Sequence, residues 1–322
     1  MRAGYPATLD STLVDLLPAG IDLIPLPDGL DHDVEIEVWI PDPYPTRALR
    51  IWPHLKGVRL VLSLMAGTDW ITDVAGPHVT ICNARGAHNV STSEWAISAI
   101  LAMLKQFPLF QDLQRSADWR GRKQATVNYE RVIGDVRHLR PPVMVEELTG
   151  KRVLQVGYGS IGKEIERMLA PFHVDLVRVA RTSRSEPIVH SIEDLDRLLP
   201  AAEVIILILP LNDSSRGLIG SRQLTLMKQG ALLVNAARGP IIQTDALIEA
   251  LNEGRIRAAL DVTDPEPLPP DNPLWRCPNL LITPHVAGSS PQFAPRAMKV
   301  AAEELRRYVN GEPLQNVVQV AI

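Results

Sequence analysis

Three glycines near the middle of the chain have the spacing of a dinucleotide-binding turn. The run GYGSIG at residues 157–162 follows a predicted strand and opens a predicted helix with an apolar face. In that context the first glycine allows a tight turn, the second lets the backbone approach a pyrophosphate, and the third lets the helix pack closely on the strand. The amide groups of a helix N-terminus bind phosphate. We therefore expect a dinucleotide to contact Gly157, Gly159, Ser160, Ile161 and Gly162.

The next predicted strand comprises residues 174–180. The loop that follows it indicates which dinucleotide is bound. In many such folds an acidic residue at this strand end binds the ribose 2′-hydroxyl of NAD. Here the strand leads into Arg181, Thr182, Ser183 and Arg184 instead. Two guanidinium groups and two hydroxyls suit a 2′-phosphate, so the loop predicts NADP(H) as the preferred cofactor, with NAD(H) possible. A solvated basic loop without a ligand is the alternative that stays open.

Three later segments each place a reactive or anion-binding side chain directly after a predicted strand. They are NAARGP at residues 235–240, DVTDPEPLP at residues 261–269 and TPHVAG at residues 283–288. Ligands bind at this end of the strands in open α/β sheets. Taken singly, Arg238, Glu266 and His285 are each compatible with a surface or structural role. Their joint occurrence downstream of a dinucleotide turn favours an active site.

With these motifs in the same order, the sequence resembles the D-isomer-specific 2-hydroxyacid dehydrogenase family, in particular its glyoxylate/hydroxypyruvate reductases. The resemblance extends from about residue 60 to residue 317 and includes DNPLW at residues 271–275. It implies an oxidoreductase that transfers a hydride between a nicotinamide cofactor and a small 2-keto or 2-hydroxy acid, such as glyoxylate or hydroxypyruvate.

The resemblance also assigns catalytic roles. It implies that Arg238 binds the substrate carboxylate and polarises the neighbouring carbonyl, as a guanidinium fork can do. It implies that His285 is the acid/base, which gives a proton to the carbonyl oxygen as hydride arrives and takes it back in the oxidation direction. Glu266 resembles the carboxylate that pairs with this histidine and favours its protonated form.

Binding contacts follow from the same resemblance. Asp261 would hold the nicotinamide carboxamide, and the backbone amides of Ala66 and Gly67 would bind the substrate carboxylate. Further cofactor contacts are implied at Pro210, Ala236 and Gly288. The chain departs from the family where an active-site helix often carries Glu-His, because the pair here is Glu94-Trp95. A tryptophan at that place changes how the helix packs or how the pocket is filled.

A dinucleotide-sensing corepressor or scaffold of the same fold is the competing interpretation. Such a protein could keep all three catalytic residues, so their presence does not exclude it. The chain carries no basic tail or linker segment at either end, which favours the enzyme. Nucleotide binding without turnover of any ketoacid would favour the sensor.

The predicted elements show how these residues would be positioned. From residue 152 onward, strands alternate with helices, which is typical of parallel βαβ units. The prediction is an α/β protein with two doubly wound parallel-sheet domains, a Rossmann cofactor domain inserted in a flavodoxin-like substrate domain. The substrate domain would comprise residues 1–92 and 286–322, and the dinucleotide-binding domain residues 93–285.

The first part of the chain gives weaker signals. Residues 21–24 and 34–39 alternate like short strands, residues 58–64 and 79–83 read as buried strands, and no opening strand is evident before them. Apolar residues at helical spacing predict one long helix over residues 92–107. Residues 111–142 are polar and read as an irregular connecting arm.

Composition narrows the class of protein. Lys and Arg number 33 against 37 Asp and Glu, so attraction to nucleic acid phosphate is not expected. No apolar run has the length of a membrane span, and no signal peptide is recognisable. Two cysteines, without metal-ligand spacing, predict neither a disulfide framework nor a metal site. We expect a cytoplasmic homodimer that uses the helix over residues 92–107 and the arm after it, with a small-molecule substrate.

Overall fold

The computed structural model describes residues 1–134 and 143–321. The chain forms two compact units, Met1–Asn89 with Ser289–Ile322, and Val90–Gly288. The predicted domain boundaries, after residues 92 and 285, lie three residues from these divisions. The roles of the units as substrate and dinucleotide-binding domains stay a prediction at this point.

The first unit contains a six-stranded sheet. Its strands and helices are β1 (Arg2–Pro6), α1 (Ser11–Val14), β2 (Asp22–Leu26), β3 (Val34–Glu35), β4 (Val38–Trp39), α2 (Pro45–Ile51), β5 (Leu55–Lys56), β6 (Leu60–Leu62), α3 (Asp69–Ala75), β7 (Thr80–Cys82), and, near the end of the chain, α11 (Phe293–Val309) and β15 (Val317–Gln319). The sheet order is β2-β1-β4-β6-β7-β15. Its five parallel strands have the flavodoxin-like order 2-1-3-4-5, which confirms that prediction.

Three features of this unit correct the predictions. β1 exists although no opening strand was evident. The run over residues 34–39 is two strands, because β3 pairs with β5 in a separate two-stranded sheet whereas β4 joins the main sheet. β15 pairs antiparallel with β7, so the sheet is not wholly parallel. An antiparallel strand at the edge of a parallel sheet is common in such folds.

Both faces of the first sheet are buried, as alternating side chains require. Val38, Leu60 and Leu62 pack in one apolar cluster, which includes residues of α11. Trp39 and Val61, their neighbours along the strands, pack in a second cluster with residues of α2 and α3. The unit is therefore layered, with helices on each side of the sheet.

The second unit contains a seven-stranded parallel sheet. Its elements are α4 (Asn89–Leu104), α5 (Phe107–Arg115), α6 (Gln124–Ile133), β8 (Arg152–Val156), α7 (Ser160–Leu169), β9 (Asp175–Ala180), β10 (His190–Ser191), α8 (Leu195–Leu198), β11 (Val204–Leu207), α9 (Ser221–Leu226), β12 (Leu232–Asn235), α10 (Thr244–Asn252), β13 (Arg257–Leu260) and β14 (Leu280–Ile282). The order β10-β9-β8-β11-β12-β13-β14 is the Rossmann order with one strand added. The predicted Rossmann fold is confirmed.

Helix α4 begins three residues before its predicted start and ends three residues before its predicted end. Gln106 is left-handed, with φ at 55°, and Pro108 lies in the first turn of α5. Pro cannot donate a backbone hydrogen bond, so it suits the start of a new helix. The apolar face of α4, including Ile100 and Met103, packs on β8, β11 and α7 within its own unit.

The predicted irregular arm is partly helical. It contains most of α5 and all of α6, whose Ala125 and Val132 are buried. Residues 135–142, the end of that arm, lie outside the described residues. No helix in the described parts of the chain is both long enough and apolar enough to cross a membrane. Within the same residues, no group of three or more His, Cys, Asp or Glu side chains is arranged to hold a metal ion.

Candidate active site

The turn between β8 and α7 has the geometry that its glycines predict. Gly157 has φ at 112°, and a Cβ atom there would lie 2.1 Å from the carbonyl oxygen of Ile208. A Cβ at Gly162 would lie 2.6 Å from the carbonyl oxygen of Gly157, so this glycine lets α7 lie against the turn. Around Gly159 no heavy atom comes within 4 Å of the Cβ position, and the backbone faces open space. A phosphate group fits beside Gly159 and the first turn of α7, Ser160 to Gly162.

A buried glutamine stabilises this turn, and sequence reasoning missed it. Gln155 lies inside β8, and its Nε2 donates hydrogen bonds to the carbonyl oxygens of Gly157 (3.1 Å) and Gly162 (3.0 Å). The side chain thus connects the start of the turn to the first turn of α7. A polar residue within an otherwise apolar strand is the signal that could have identified it.

Beyond β9, the loop predicted to select the cofactor is exposed. Ala180 is the last residue of β9, and no acidic residue stands at that strand end. Arg178 is already engaged with Glu166. In the described parts of the chain, Arg181 and Arg184 make no ion pair. Thr182 and Ser183 lie between them and are also exposed, so the loop presents two uncompensated cations and two hydroxyls to solvent.

The loop that carries Arg238 is held by Asn235, the buried last residue of β12. Its Nδ2 donates to the carbonyl oxygen of Arg238 (3.0 Å), and its Oδ1 accepts from the amide of Ala237 (3.0 Å). At Gly239, a Cβ would lie 1.9 Å from the carbonyl oxygen of Thr263. The glycine therefore allows the Arg238 loop to lie against the loop that leads to Glu266. Asn235 and Gly239 are part of the predicted NAARGP segment, but their supporting roles were not predicted.

His285 and Glu266 are in direct contact. Their Nδ1 and Oε1 atoms are 2.5 Å apart, and the side chains are 46 % and 41 % exposed. His285 has φ at 53°, a left-handed conformation that is uncommon for a residue with a side chain. Its amide donates to the carbonyl oxygens of Asp261 (2.7 Å) and Thr283 (3.1 Å), which fixes this conformation. With Nδ1 facing the carboxylate, the Nε2 atom is the one available to a substrate.

Asp261 organises the loop on both sides of His285. It is 2 % exposed, and its Oδ1 accepts from the Thr283 hydroxyl (2.6 Å) and the Val286 amide (2.9 Å). Its Oδ2 accepts from the Ala287 amide (2.7 Å). The structure thus shows Asp261 as a support for the His285 loop, whereas its expected contact with the nicotinamide carboxamide stays a prediction.

The remaining predicted cofactor residues lie after three strands of the same sheet. Pro210 follows β11, Ala236 follows β12, and Gly288 follows the His285 loop after β14. Because all seven strands are parallel, these residues lie on the same edge as the glycine turn. Trp95 packs with its helix on the core of this unit, and Glu94 is exposed.

Ala66 and Gly67 belong to the first unit and follow β6. Asn83 donates through Nδ2 to the carbonyl oxygen of Ala66 (2.8 Å), and Ser63 accepts from the amide of Met65 (3.2 Å). The loop is therefore supported by side chains of its own unit. Its role as a ligand for the substrate carboxylate stays a prediction.

Comparison with known proteins decides the family. The model for the NAD binding domain of D-isomer specific 2-hydroxyacid dehydrogenases matches residues 97–287. The chain belongs to this family. It is 31 % identical over 271 residues to D-3-phosphoglycerate dehydrogenase of Archaeoglobus fulgidus, covering 82 % of this chain and 48 % of that protein. The chain thus spans about half the length of that relative.

Two further proteins are similar to this chain. The glyoxylate reductase of Thermofilum pendens is 37 % identical over 171 residues, covering 52 % of this chain and 50 % of that protein. A D-isomer specific 2-hydroxyacid dehydrogenase from Xanthobacter autotrophicus Py2, solved with NADPH and MES, is 27 % identical with a TM-score of 0.75, and the match covers 99 % of this chain and 98 % of that one. The family resemblance and the two-domain α/β fold are therefore confirmed.

Proposed function

We propose that this chain is an NADP(H)-preferring 2-ketoacid reductase. It transfers a hydride between NADP(H) and a small 2-keto or 2-hydroxy acid of the glyoxylate or hydroxypyruvate class, with His285 as acid/base. The observation that carries this proposal is the contact between His285 and Glu266 at the edge of the sheet where the glycine turn also lies. An acid/base and a dinucleotide turn on one edge are the two parts that carbonyl reduction needs.

Each of the three residues Arg238, Glu266 and His285 has a separate role in the proposed reaction. Bound NADPH supplies the hydride, which adds two electrons and one hydrogen to the carbonyl carbon of the ketoacid. His285 donates a proton from Nε2 to the carbonyl oxygen, while Glu266 contacts Nδ1 and orients the ring for that transfer. Arg238 holds the substrate carboxylate in a fork and orients the carbonyl. The half-exposed imidazole then regains its proton from solvent.

The preference for NADP(H) rests on charge. Arg181 and Arg184 offer two guanidinium groups to a 2′-phosphate, and no carboxylate at the end of β9 would repel it. The Xanthobacter relative, which holds NADPH, supports the same preference.

The substrate class rests on the named glyoxylate reductase and on the carboxylate-binding chemistry of Arg238. The test is nicotinamide absorbance with NADPH and with NADH, offering glyoxylate, hydroxypyruvate, pyruvate and a phenyl-substituted ketoacid. We expect turnover with NADPH and one of the two smallest acids. His285→Ala should lose at least about 100-fold in kcat. His173→Ala is the matched control, because His173 is also exposed and left-handed in the same unit.

The same assay separates the enzyme from the sensor. Tight binding of a dinucleotide without turnover of any ketoacid would contradict the proposed reaction and favour a corepressor or scaffold. Turnover that His285→Ala leaves unchanged would contradict the assignment of the acid/base. The expected cytoplasmic location and lack of a nucleic acid partner stay predictions.

We also infer a homodimer. The buried face of α4 is used within its own unit, so the contact would involve the start of α5 and the arm, where Phe107 and Trp119 respectively are exposed (59 % and 80 %). Both side chains are available for a contact with a second chain. Light scattering should give twice the chain mass of 35.5 kDa. A mass of one chain would refute the inference.

A further inference from the structure

Tyr158, the second residue of the glycine turn, is tied to the helix that follows. Its side chain is 7 % exposed, and its hydroxyl donates a 2.5 Å hydrogen bond to Oε2 of Glu166 in α7. Burial raises the pKa of Tyr158, with a further contribution from the hydrogen bond to Glu166. The hydroxyl therefore stays protonated as a donor. A dinucleotide turn does not need a buried tyrosine hydroxyl, so this contact calls for an explanation.

Glu166 is also bound by Arg178 in β9. The Nε atom of Arg178 donates to Oε2 at 3.0 Å, and its Nη2 donates to Oε1. This is a bidentate fork, the strong form of such a pair. The guanidinium carbon also lies 5.8 Å from the centre of the Tyr158 ring. Hydrogen bonding by Arg178 lowers the pKa of Glu166, which stays ionised.

Three elements are thereby joined through one carboxylate. Tyr158 belongs to the turn that meets the pyrophosphate, Glu166 to α7, and Arg178 to β9 two residues before its end. The next residues after that end are Arg181 to Arg184, the predicted 2′-phosphate loop. Because Arg178 is paired with Glu166, its charge is compensated and does not itself serve the phosphate.

We propose that Tyr158, Glu166 and Arg178 form a positioning network that fixes the glycine turn relative to the loop Arg181–Arg184, and so sets the affinity for NADP(H) over NAD(H). The inference rests on the proposed function, since it concerns the cofactor of that reaction. Only NADP(H) has phosphates for both the turn and the loop, whereas NAD(H) engages the turn alone. A shift between the two sites therefore weakens NADP(H) more than NAD(H).

The experiment measures dissociation constants for NADPH and NADH by nicotinamide fluorescence, on the full chain and without a ketoacid. Tyr158→Phe removes the hydroxyl and keeps the ring, and Glu166→Gln keeps the shape and removes the charge. In both variants we expect the Kd for NADPH to rise about 5- to 10-fold and the Kd for NADH to change no more than about twofold. Glu164→Gln is the matched control, because Glu164 is in the same helix and similarly buried, but pairs with Arg167 of that helix and not with β9.

A second set of variants tests whether the effect of Tyr158 on NADPH binding depends on the loop Arg181–Arg184. In an Arg181→Ala/Arg184→Ala background, Tyr158→Phe should change the NADPH Kd by no more than about twofold, since both guanidinium groups that the network positions are already lost. With the best ketoacid at saturating cofactor, kcat should stay within about twofold, because none of the three residues touches the reacting atoms. Thermal unfolding is recorded for each variant.

Three outcomes would overturn the network. Unchanged NADPH affinity in both single variants is the first. Equal losses for NADPH and NADH, in step with a lower unfolding temperature, would show a purely structural role and are the second. The third is a wild-type chain that binds neither dinucleotide, which would also overturn the proposed function. A wild-type chain that binds NADPH but turns over no ketoacid contradicts the proposed reaction alone, and the network is still decided by binding.

Discussion

Replacing the glycines of the turn by alanine separates folding from cofactor binding. Gly157 is left-handed with φ at 112°, and an added Cβ would meet the carbonyl of Ile208 at 2.1 Å for the oxygen and 2.5 Å for the carbon. Gly159 has φ at −90°, and nothing lies within 4 Å of its Cβ position. Alanine at position 157 would therefore clash with the protein backbone, whereas alanine at position 159 would not.

The expected cost at Gly157 has two parts. A left-handed conformation costs about 1–2 kcal/mol for a residue with a Cβ. The clash with Ile208 adds about 1–3 kcal/mol, as overpacking does elsewhere. Gly157→Ala should therefore lower the free energy of unfolding by about 2–5 kcal/mol. Gly254→Ala is the control for the first part alone, because Gly254 has φ at 67° and only Arg131 Nε, at 3.7 Å, near its Cβ position.

At Gly159, substitution by alanine should weaken dinucleotide binding and leave the stability of the fold unchanged. The methyl group would occupy the space that the pyrophosphate approaches, so we expect stability within about 0.5 kcal/mol of wild type. Dinucleotide affinity should fall by at least about tenfold. Urea unfolding and nicotinamide fluorescence measure the two quantities on the same samples. Wild-type affinity in Gly159→Ala, or a Gly157→Ala variant no less stable than Gly254→Ala, would refute the reasoning.

Other predictions concern the cofactor loop, the arginine loop and alkaline stability. Arg181→Asp should raise the KM for NADPH much more than that for NADH, and equal changes would contradict NADP(H) preference. Asn235→Ala should lower kcat/KM for the ketoacid by about 10- to 100-fold, since it frees the loop of Arg238; unchanged kinetics would show that this hydrogen bonding is dispensable. Burial raises the pKa of Cys82 and of Tyr308 to about 12, from ordinary values of 9.0 and 10.0. The folded chain keeps both protons where the unfolded chain loses them, so the free energy of unfolding should fall between pH 9 and 12. Urea unfolding across that range should show a shallower fall in Cys82→Ala, and an identical fall would contradict the assignment.

Much of the second unit could be predicted because its signals are local. Apolar strands such as β11 and β12 are buried on both faces, so they appear as short uninterrupted apolar runs. The glycine turn has a fixed spacing. The contact of His285 with Glu266 was expected from the family resemblance, and the structure shows the two atoms that make it.

The first unit was harder because its signals depend on tertiary packing. β1 contains Gly4, whose Cβ position lies 2.6 Å from a methyl carbon of Leu26 and 2.8 Å from one of Ile36. The side chains of Leu26 and Ile36 leave no space for a side chain at this position of β1. The position is therefore occupied by glycine, a residue with low strand propensity. The split after Glu35 has a similar cause, since Ile36 donates its amide to Lys56 while Glu37 donates to Arg2. Sequence alone does not reveal which partner strand each residue will meet.

The supporting residues of the site show the same limit. Gln155 and Asn235 are recognisable as polar residues in apolar strands, but the carbonyl groups they bind include that of Gly162 in the first turn of α7 and that of Arg238 in the loop after β12. Only the folded geometry identifies these partners. The exposed arginines beyond β9 were predictable as a cluster, whereas the engagement of Arg178 by Glu166 was not.

The central claim is that hydride passes from the nicotinamide to the 2-carbon of a ketoacid while His285 supplies the proton. The most direct test uses NADPH with deuterium at both C4 positions and the ketoacid that turns over fastest. We expect one deuterium on C2 of the hydroxyacid product, and none there when unlabelled NADPH is used in D₂O. His285→Ala should bind NADPH but form the labelled product at least about 100-fold more slowly than wild type. Solvent deuterium at C2, or labelled product formed at the wild-type rate by His285→Ala, would contradict the account.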